Sequence, residues 1–227
     1  METRKSLVFN RYVLNVEQSP EQILEKLYSH SYNDDNGFGF TYLRLEDNII
    51  EARLVIRTPT SIKEYDPIEG MFNSKVVFIY DELEIFFDTQ MHLVYTTASI
   101  TKFNKAKTLL RISIGKNLSF KNINISPTYI FESMENLKFT VYITDLTIKK
   151  FQYKEGAYGR FTVHLEDSSI GKELLYKYMD DISKITIKLE SQNYSDCLIS
   201  TAAQNSFILK CKEDEFWTIV NLIKEYI

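Results

Sequence analysis

Residues 40–58 read FTYLRLEDNIIEARLVIRT, two apolar–polar alternations on either side of Glu46-Asp47-Asn48. A period of two puts every second side chain on one face of a strand, and a short acidic Asp/Asn segment between two such runs is hairpin chemistry. Residues 40–45 and 49–58 are therefore expected to be antiparallel strands. Upstream, residues 6–15 alternate as a first strand. Ser19-Pro20-Glu21-Gln22 then supplies an N-cap serine, a proline at the first helical position and a capping-box glutamine. A helix over 20–29 follows, with Ile23, Leu24, Leu27 and Tyr28 on its apolar face. Asn33-Asp34-Asp35-Asn36-Gly37 is turn chemistry.

Downstream, residues 59–71 read as a polar loop. Residues 75–80 and 83–88 read as strands joined by an acidic two-residue turn, Asp81-Glu82, and residues 99–112 as a helix. The second half opens with a β-rich stretch over 137–153 and a strand over 158–165. Ser168 or Ser169 is expected to cap a helix carrying Ile170, Leu174, Leu175 and Tyr178 on one face. Strands over 184–189, 196–201 and 207–211 lead to a last helix opened by Glu213-Asp214-Glu215, where the macrodipole favours carboxylates. Its stripe is Phe216, Val220, Ile223 and Ile227, with Trp217 alongside. This pattern predicts an α+β fold of antiparallel sheets with helices on one face. Two halves are expected, 1–133, ending in a basic helix and loop, and 134–227, with an element order that suggests tandem duplication.

With 44% hydrophobic and 26% charged residues, the 227-residue chain lies far from the composition of disordered proteins. Its apolar runs are far shorter than the ~20 residues a membrane helix needs, and Arg4 and Lys5 interrupt any signal-peptide core, so a cytoplasmic protein without membrane contact is expected. Cys197 and Cys211 fall on neighbouring expected strands without C-x-x-C spacing and read as a reduced, buried pair. Abundant Ile, Asn and Lys resemble the usage of an AT-rich bacterial, archaeal or phage genome.

The departure from an ordinary soluble domain is charge segregation. Between Asp88 and Glu132 lie 43 residues without an acidic side chain, carrying Lys102, Lys105, Lys107, Arg111, Lys116 and Lys121. The flanking segments are net −7 and −3, so the basic run stands inside an acidic protein with a sequence pI near 5.5. On a helix over 99–112, the 3.6-residue period collects Thr101, Asn104, Lys105, Thr108 and Arg111 on one face, opposite Ile100, Phe103, Ala106 and Leu110. Lys102 and Lys107 flank the apolar stripe, from which their stems can snorkel outward. Cations, hydroxyls and amides are the donors that contact phosphate and sugar without reading sequence. The following stretch, 115–129, adds Lys116 and Lys121 among Asn and Ser residues, with Phe120 and Tyr129 as stacking groups.

Lys102, Lys105, Arg111, Lys116 and Lys121 are thus the candidate nucleic-acid contacts of a non-enzymatic protein, a subunit in DNA maintenance or phage–host conflict. A solvated helix face uses the same residues. The competing function is a protein-interaction subunit using sheet edges or Phe216, Trp217 and Tyr226 as anchors.

Catalytic chemistry is not visible. His30, His92 and His164 lack metal-ligand spacing, and no P-loop, nucleophile elbow or kinase signature is present. The Gly37-Phe38-Gly39 pair lacks a third glycine and precedes a strand, so it reads as a turn. Glu51-Ala52-Arg53 is the nearest match to a nuclease Glu-x-Lys pair, but arginine does not release a proton near neutrality. No cofactor and no metal are expected.

Overall fold

The computed structural model describes residues 1–137, 139–191, 194–203 and 205–227. Along the chain these form β1 (Glu2–Leu14), α1 (Pro20–Tyr28), β2 (Phe38–Glu46), β3 (Ile49–Asp66), β4 (Met71–Asp88), β5 (Leu93–Thr96), α2 (Ile100–Ile114) and β6 (Leu118–Asn122). There follow α3 (Pro127–Asn136), β7 (Thr140–Lys154), β8 (Ala157–His164), α4 (Ser168–Lys177), β9 (Ile182–Glu190), β10 (Cys197–Ala203), β11 (Ser206–Lys212) and α5 (Phe216–Lys224). Antiparallel strands dominate and helices accompany them, an α+β architecture. Two compact units result, Asn10–Lys121 and Met1–Phe9 with Asn122–Ile227, so β1 is divided between them. No helix among the described residues is long and apolar enough to cross a membrane.

In the unit Asn10–Lys121 the strand order is β2-β3-β4-β5-β1, with β6 also on β1. The β2–β3 hairpin turns on Asp47 (φ 48°) and Asn48 (φ 63°), the two positive values that a tight twisted hairpin requires and that Asp and Asn tolerate. Ile50, Ala52, Leu54 and Ile56 alternate into the core as the pattern demands. The capping box closes α1, with Ser19 Oγ accepting from the Gln22 amide and Gln22 Oε1 from the Ser19 amide. Gly39 permits a close backbone approach, because a Cβ there would lie 2.3 Å from Tyr32 Cα.

The expected loop over 59–71 and the turn at Asp81-Glu82 are both corrected. β3 and β4 are continuous 18-residue strands in unbroken register from Ile49↔Asp88 to Asp66↔Met71. The reversal lies at Pro67-Ile68-Glu69-Gly70, where the Asp66 carboxylate accepts from the Ile68 and Glu69 amides and Gly70 has φ 67°. Asp81 and Glu82 sit mid-strand and are held by Lys102 and Arg53, at 2.6 and 3.0 Å. β2 leaves β3 at Ile56, so Pro59 lies where the strand has no second neighbour and its missing N–H costs nothing. Past that point the ribbon is exposed on both faces, Tyr65, Ile68, Phe72 and Val76 included.

In the other unit the order is β1-β11-β10-β9-β7-β8. Leu7, Val8 and Phe9 are buried here, and the Phe9 ring meets Phe207 edge-on at 5.8 Å. Asp167, not Ser168 or Ser169, caps α4, because its carboxylate accepts from the Ser169 amide at 2.8 Å. α4 packs through Gly171, where a Cβ would come 2.9 Å from Ile143 Cβ. The expected β stretch over 137–153 is β7, beginning at Thr140 and preceded by α3; Lys138 lies outside the described residues. A 3-10 turn over Glu213–Glu215 precedes α5, whose Phe216, Val220 and Ile223 are buried while Trp217 is 37% exposed. Phe216 therefore belongs to the core and is no surface anchor.

Candidate nucleic-acid interface

Helix α2 exists because Ser99 caps it, its side chain accepting from the Lys102 amide, and because Phe103, Ala106, Leu110, Ser113 and Ile114 recur at helical spacing on its buried side. Phe103 and Leu110 are fully buried, each worth about 1.5–3 kcal/mol of hydrophobic stabilisation. Ile100, expected in the same stripe, is 36% exposed. The opposite side carries the five residues that the period collects, Thr101, Asn104, Lys105, Thr108 and Arg111, all exposed. At the C-terminal end, Lys26 on α1 donates to the Ile114 carbonyl at 3.2 Å, occupying one of the acceptors a helix end leaves open.

β6 then runs antiparallel along β1. The Asn10 side-chain amide donates to the Lys121 carbonyl, Ser119 Oγ to Val13 O, and the Asn15 amide to Asn117 O. The loop expected over 115–129 is thus largely ordered structure, β6 and the start of α3, and β6 is tied to the sheet.

The structure treats the candidate cations differently. Lys102 is neutralised by Asp81 on β4 at 2.6 Å, and Glu82 and Glu84 line the shallow pocket beside it. The N-terminal turn of α2 is therefore unfavourable to an anion. Lys105 donates to Thr58 Oγ1 at 2.9 Å, a neutral partner that leaves its charge uncompensated. Arg111 Nε points to the Leu118 carbonyl at 3.4 Å, and the guanidinium lies 5.2 Å from the Phe120 ring centre. Lys116 and Lys121 are exposed. Among the described residues, none of Lys105, Arg111, Lys116 and Lys121 forms an ion pair.

Lys107 joins this group although the face argument sets it aside. Its ammonium lies 4.9 Å from the Phe103 ring centre and 5.9 Å from that of Phe120, and it donates to Asn104 Oδ1. Partial burial, and then the neighbouring Arg111, lower its pKa below the ordinary lysine value. Lys107 and Arg111 are an i,i+4 pair of like charge, an arrangement that destabilises a helix by about 0.2–0.5 kcal/mol. Both converge on Phe120, whose aromatic face attracts cations. The sequence signal was present, since i,i+4 spacing and a downstream aromatic are both visible, but the stripe-flanking position of Lys107 concealed it.

Lys121 also borders an open cleft of about 1130 Å³ in the same unit, lined among others by Arg11, Gln18, Ser19, Asn48, Gln90 and His92, with Glu17 as its acid. Its lining mixes these polar groups with Tyr12, Val13, Leu14 and Pro20.

The residues considered for catalysis are held in other ways. Arg53 lies between Glu82 and Glu84 and over Tyr42, so it belongs to a cross-strand charge cluster. His30 Nδ1 is within 3.1 Å of Ser29 Oγ and Lys26 O, while Asp34 accepts from Tyr32. His164 faces Asp145 at 3.1 Å on an exposed strand. Both cysteines are buried, and burial raises their thiols, Cys211 to about 11 and Cys197 further. Neither is a ready thiolate. Among the described residues no three His, Cys, Asp or Glu side chains converge on a metal position.

In comparisons with known proteins, no family model and no curated protein matches this chain.

Proposed function

We propose that the protein is a non-enzymatic nucleic-acid-binding subunit of the cytosol, working in DNA maintenance or phage–host conflict. It contacts backbone phosphates through Lys105, Lys107, Arg111, Lys116 and Lys121, with Lys102 at the margin. The observation that carries this reading is the convergence of Lys107 and Arg111 on Phe120, with neither ion-paired to a carboxylate among the described residues. A like-charged, partly desolvated pair costs stability unless an anion joins it, and a protein with 31 acidic residues has carboxylates enough to compensate it internally. Phosphate supplies the missing charge.

The test is salt dependence. Each phosphate contact contributes about 0.7 to the log–log salt slope for single strands and about 0.9 for duplex. Lys105→Gln with Arg111→Gln should lower that slope by about 1.4–1.8 and weaken binding equally across sequences. An unchanged slope and affinity at low salt would refute the assignment.

A second reading, a protein-interaction subunit, is favoured by the β3–β4 ribbon, whose exposed Tyr65, Ile68, Phe72 and Val76 form an apolar surface on a two-stranded extension. We also read the halves 1–133 and 134–227 as products of tandem duplication, with helices on one face of antiparallel sheets. Support comes from the antiparallel sheet and accompanying helices found in each.

A further inference from the structure

The β7–β8 hairpin repeats in the other unit the combination of unpaired cations and rings, with its rings in the open. β7 pairs with β9 only as far as Ile148, and beyond it β7 and β8 continue as a two-stranded ribbon turning at Gly156 (φ 76°). Residues 149–161 hold Lys149, Lys150, Lys154 and Arg160 against one acid, Glu155. Among the described residues none of these four cations is ion-paired, although Asp181 lies at the ribbon's base, its carbonyl accepting from the Lys149 amide. Between the cations stand Phe151, Tyr153, Tyr158 and Phe161. Tyr153 is 76% exposed and Tyr158 65%.

We infer that this ribbon is a binding site for single-stranded nucleic acid, separate from the α2–β6 surface and not dependent on it. Phe151 and Phe161 stack with centroids 4.5 Å apart, and Gly159 stands directly opposite Phe151. A Cβ at Gly159 would meet no heavy atom within 4 Å, and this glycine lies in a depression of about 290 Å³ walled by rings and bordered by Arg160. Aromatic faces in a cationic setting hold unstacked bases, and duplex DNA cannot offer base faces because they are stacked within the helix. An acidic protein would satisfy the lysines but would leave two highly exposed tyrosines and an open ring-walled floor without a role.

Affinity for a fluorescein-labelled oligothymidylate and for a duplex, read by anisotropy at low salt, tests this. Three variants are compared, Tyr153→Ala with Tyr158→Ala, Gly159→Val, and Lys107→Glu with Arg111→Glu, each checked by its melting curve. Gly159→Val projects an isopropyl group into the depression from a good strand former where space is free, so it should obstruct the site and keep the fold. The ring and glycine variants should each lose single-strand affinity by roughly tenfold or more while duplex affinity changes little. The α2 pair should lose duplex affinity while the ribbon still holds the single strand, and the hairpin variants should still lose single-strand affinity in that background. Loss of single-strand affinity in the α2 pair alone overturns this inference and leaves the α2–β6 proposal standing, whereas loss confined to the hairpin variants, with duplex affinity unchanged in the α2 pair, upholds it and overturns the α2–β6 proposal. Unchanged affinity in both hairpin variants, loss only on reversing Lys149 and Lys150, or no oligonucleotide binding at all would each overturn it.

Discussion

Replacing residues 61–76 by Asn-Gly, so that the paired residues Thr60 and Val77 are joined by a tight turn, should leave the melting temperature within a few degrees of the parent. Thr60↔Val77 is a register pair whose backbone groups face each other, since Arg57, three residues earlier, turns its amide to Gly37 on the other side and facing pairs alternate along the ladder. The new turn therefore closes a hairpin already in phase, and Asn-Gly supplies the positive φ values it needs. None of the removed side chains is buried. The contact of Arg57 with the Phe78 ring, at 3.5 Å, is retained. The ladder hydrogen bonds that are lost contribute about 0.5–1.5 kcal/mol each net, and ordering each ribbon residue costs about 1–2 kcal/mol, so the ordering cost offsets the lost bonds at least in full and removing the ribbon should not weaken the fold. A two-stranded ribbon in water is marginal for that reason. A net change within about 1 kcal/mol corresponds to about 2–4 °C in a chain of this size. The assay is calorimetry, with limited proteolysis of the parent alongside, where cleavage should begin within 61–76. Loss of cooperative unfolding, or a fall of more than about 3 kcal/mol, would show that the ribbon packs as part of the core and would refute the reasoning. The shortened protein should keep its oligonucleotide affinity, while loss of a stoichiometric protein partner on shortening would favour the interaction reading.

Other expectations follow from single positions. Lys107→Met removes a cation whose pKa burial and Arg111 depress. Its protonated form destabilises the fold below the folded pKa, and that penalty is relieved as pH rises toward the unfolded value, so the variant should melt slightly higher at pH 7 with a smaller gain near pH 10, yet bind nucleic acid more weakly. Gly39→Ala sets a methyl 2.3 Å from Tyr32 Cα and should cost several kcal/mol by denaturant titration, against a few tenths for Gly70→Asn at the open tip turn. Leu110→Ala, fully buried on α2, should cost about 2–5 kcal/mol. The raised thiols of Cys197 and Cys211 contribute stability that is present below pH 9, the share of Cys211 being lost as pH climbs through about 11 and that of Cys197 at higher pH, and both should resist thiol reagents at pH 8 until the protein unfolds.

What the sequence disclosed depended on whether burial had written a period into it. β3 alternates cleanly through Ile56 because one face is core, and the reading there was correct to within a few residues. Beyond Pro59 neither face is buried, so no alternation remains and the strand resembled a loop. Asp81-Glu82 resembled a turn because its partners, Lys102 and Arg53, arrive from other elements. α3 was missed although Ser126-Pro127 is a cap followed by a first-turn proline, since Asn and Ser around it spoke for a loop. On α2 the polar face was legible from spacing. The neutralisation of Lys102 was not, because register between α2 and β4 decides it.

The two readings of the basic run differ in what they require of the acids. A solvated face needs nothing beyond exposure, and cations on it should find carboxylates wherever neighbouring strands carry them. Lys102 does so with Asp81. From Lys105 onward the neighbours are Thr58, Asn104, the Leu118 carbonyl and Phe120, so the chain offers neutral acceptors and a ring along the C-terminal turns of α2. The helix dipole favours a cation in the last turn and accounts for Arg111 by itself, at about 0.3–1 kcal/mol. It does not account for Lys107 one turn earlier, partly desolvated and repelled by Arg111. That position loses stability in the free protein, and a phosphate bound beside Phe120 would return it. Lys107→Met therefore separates the readings: higher stability with weaker binding marks a site, while higher stability with unchanged binding marks a solvated face.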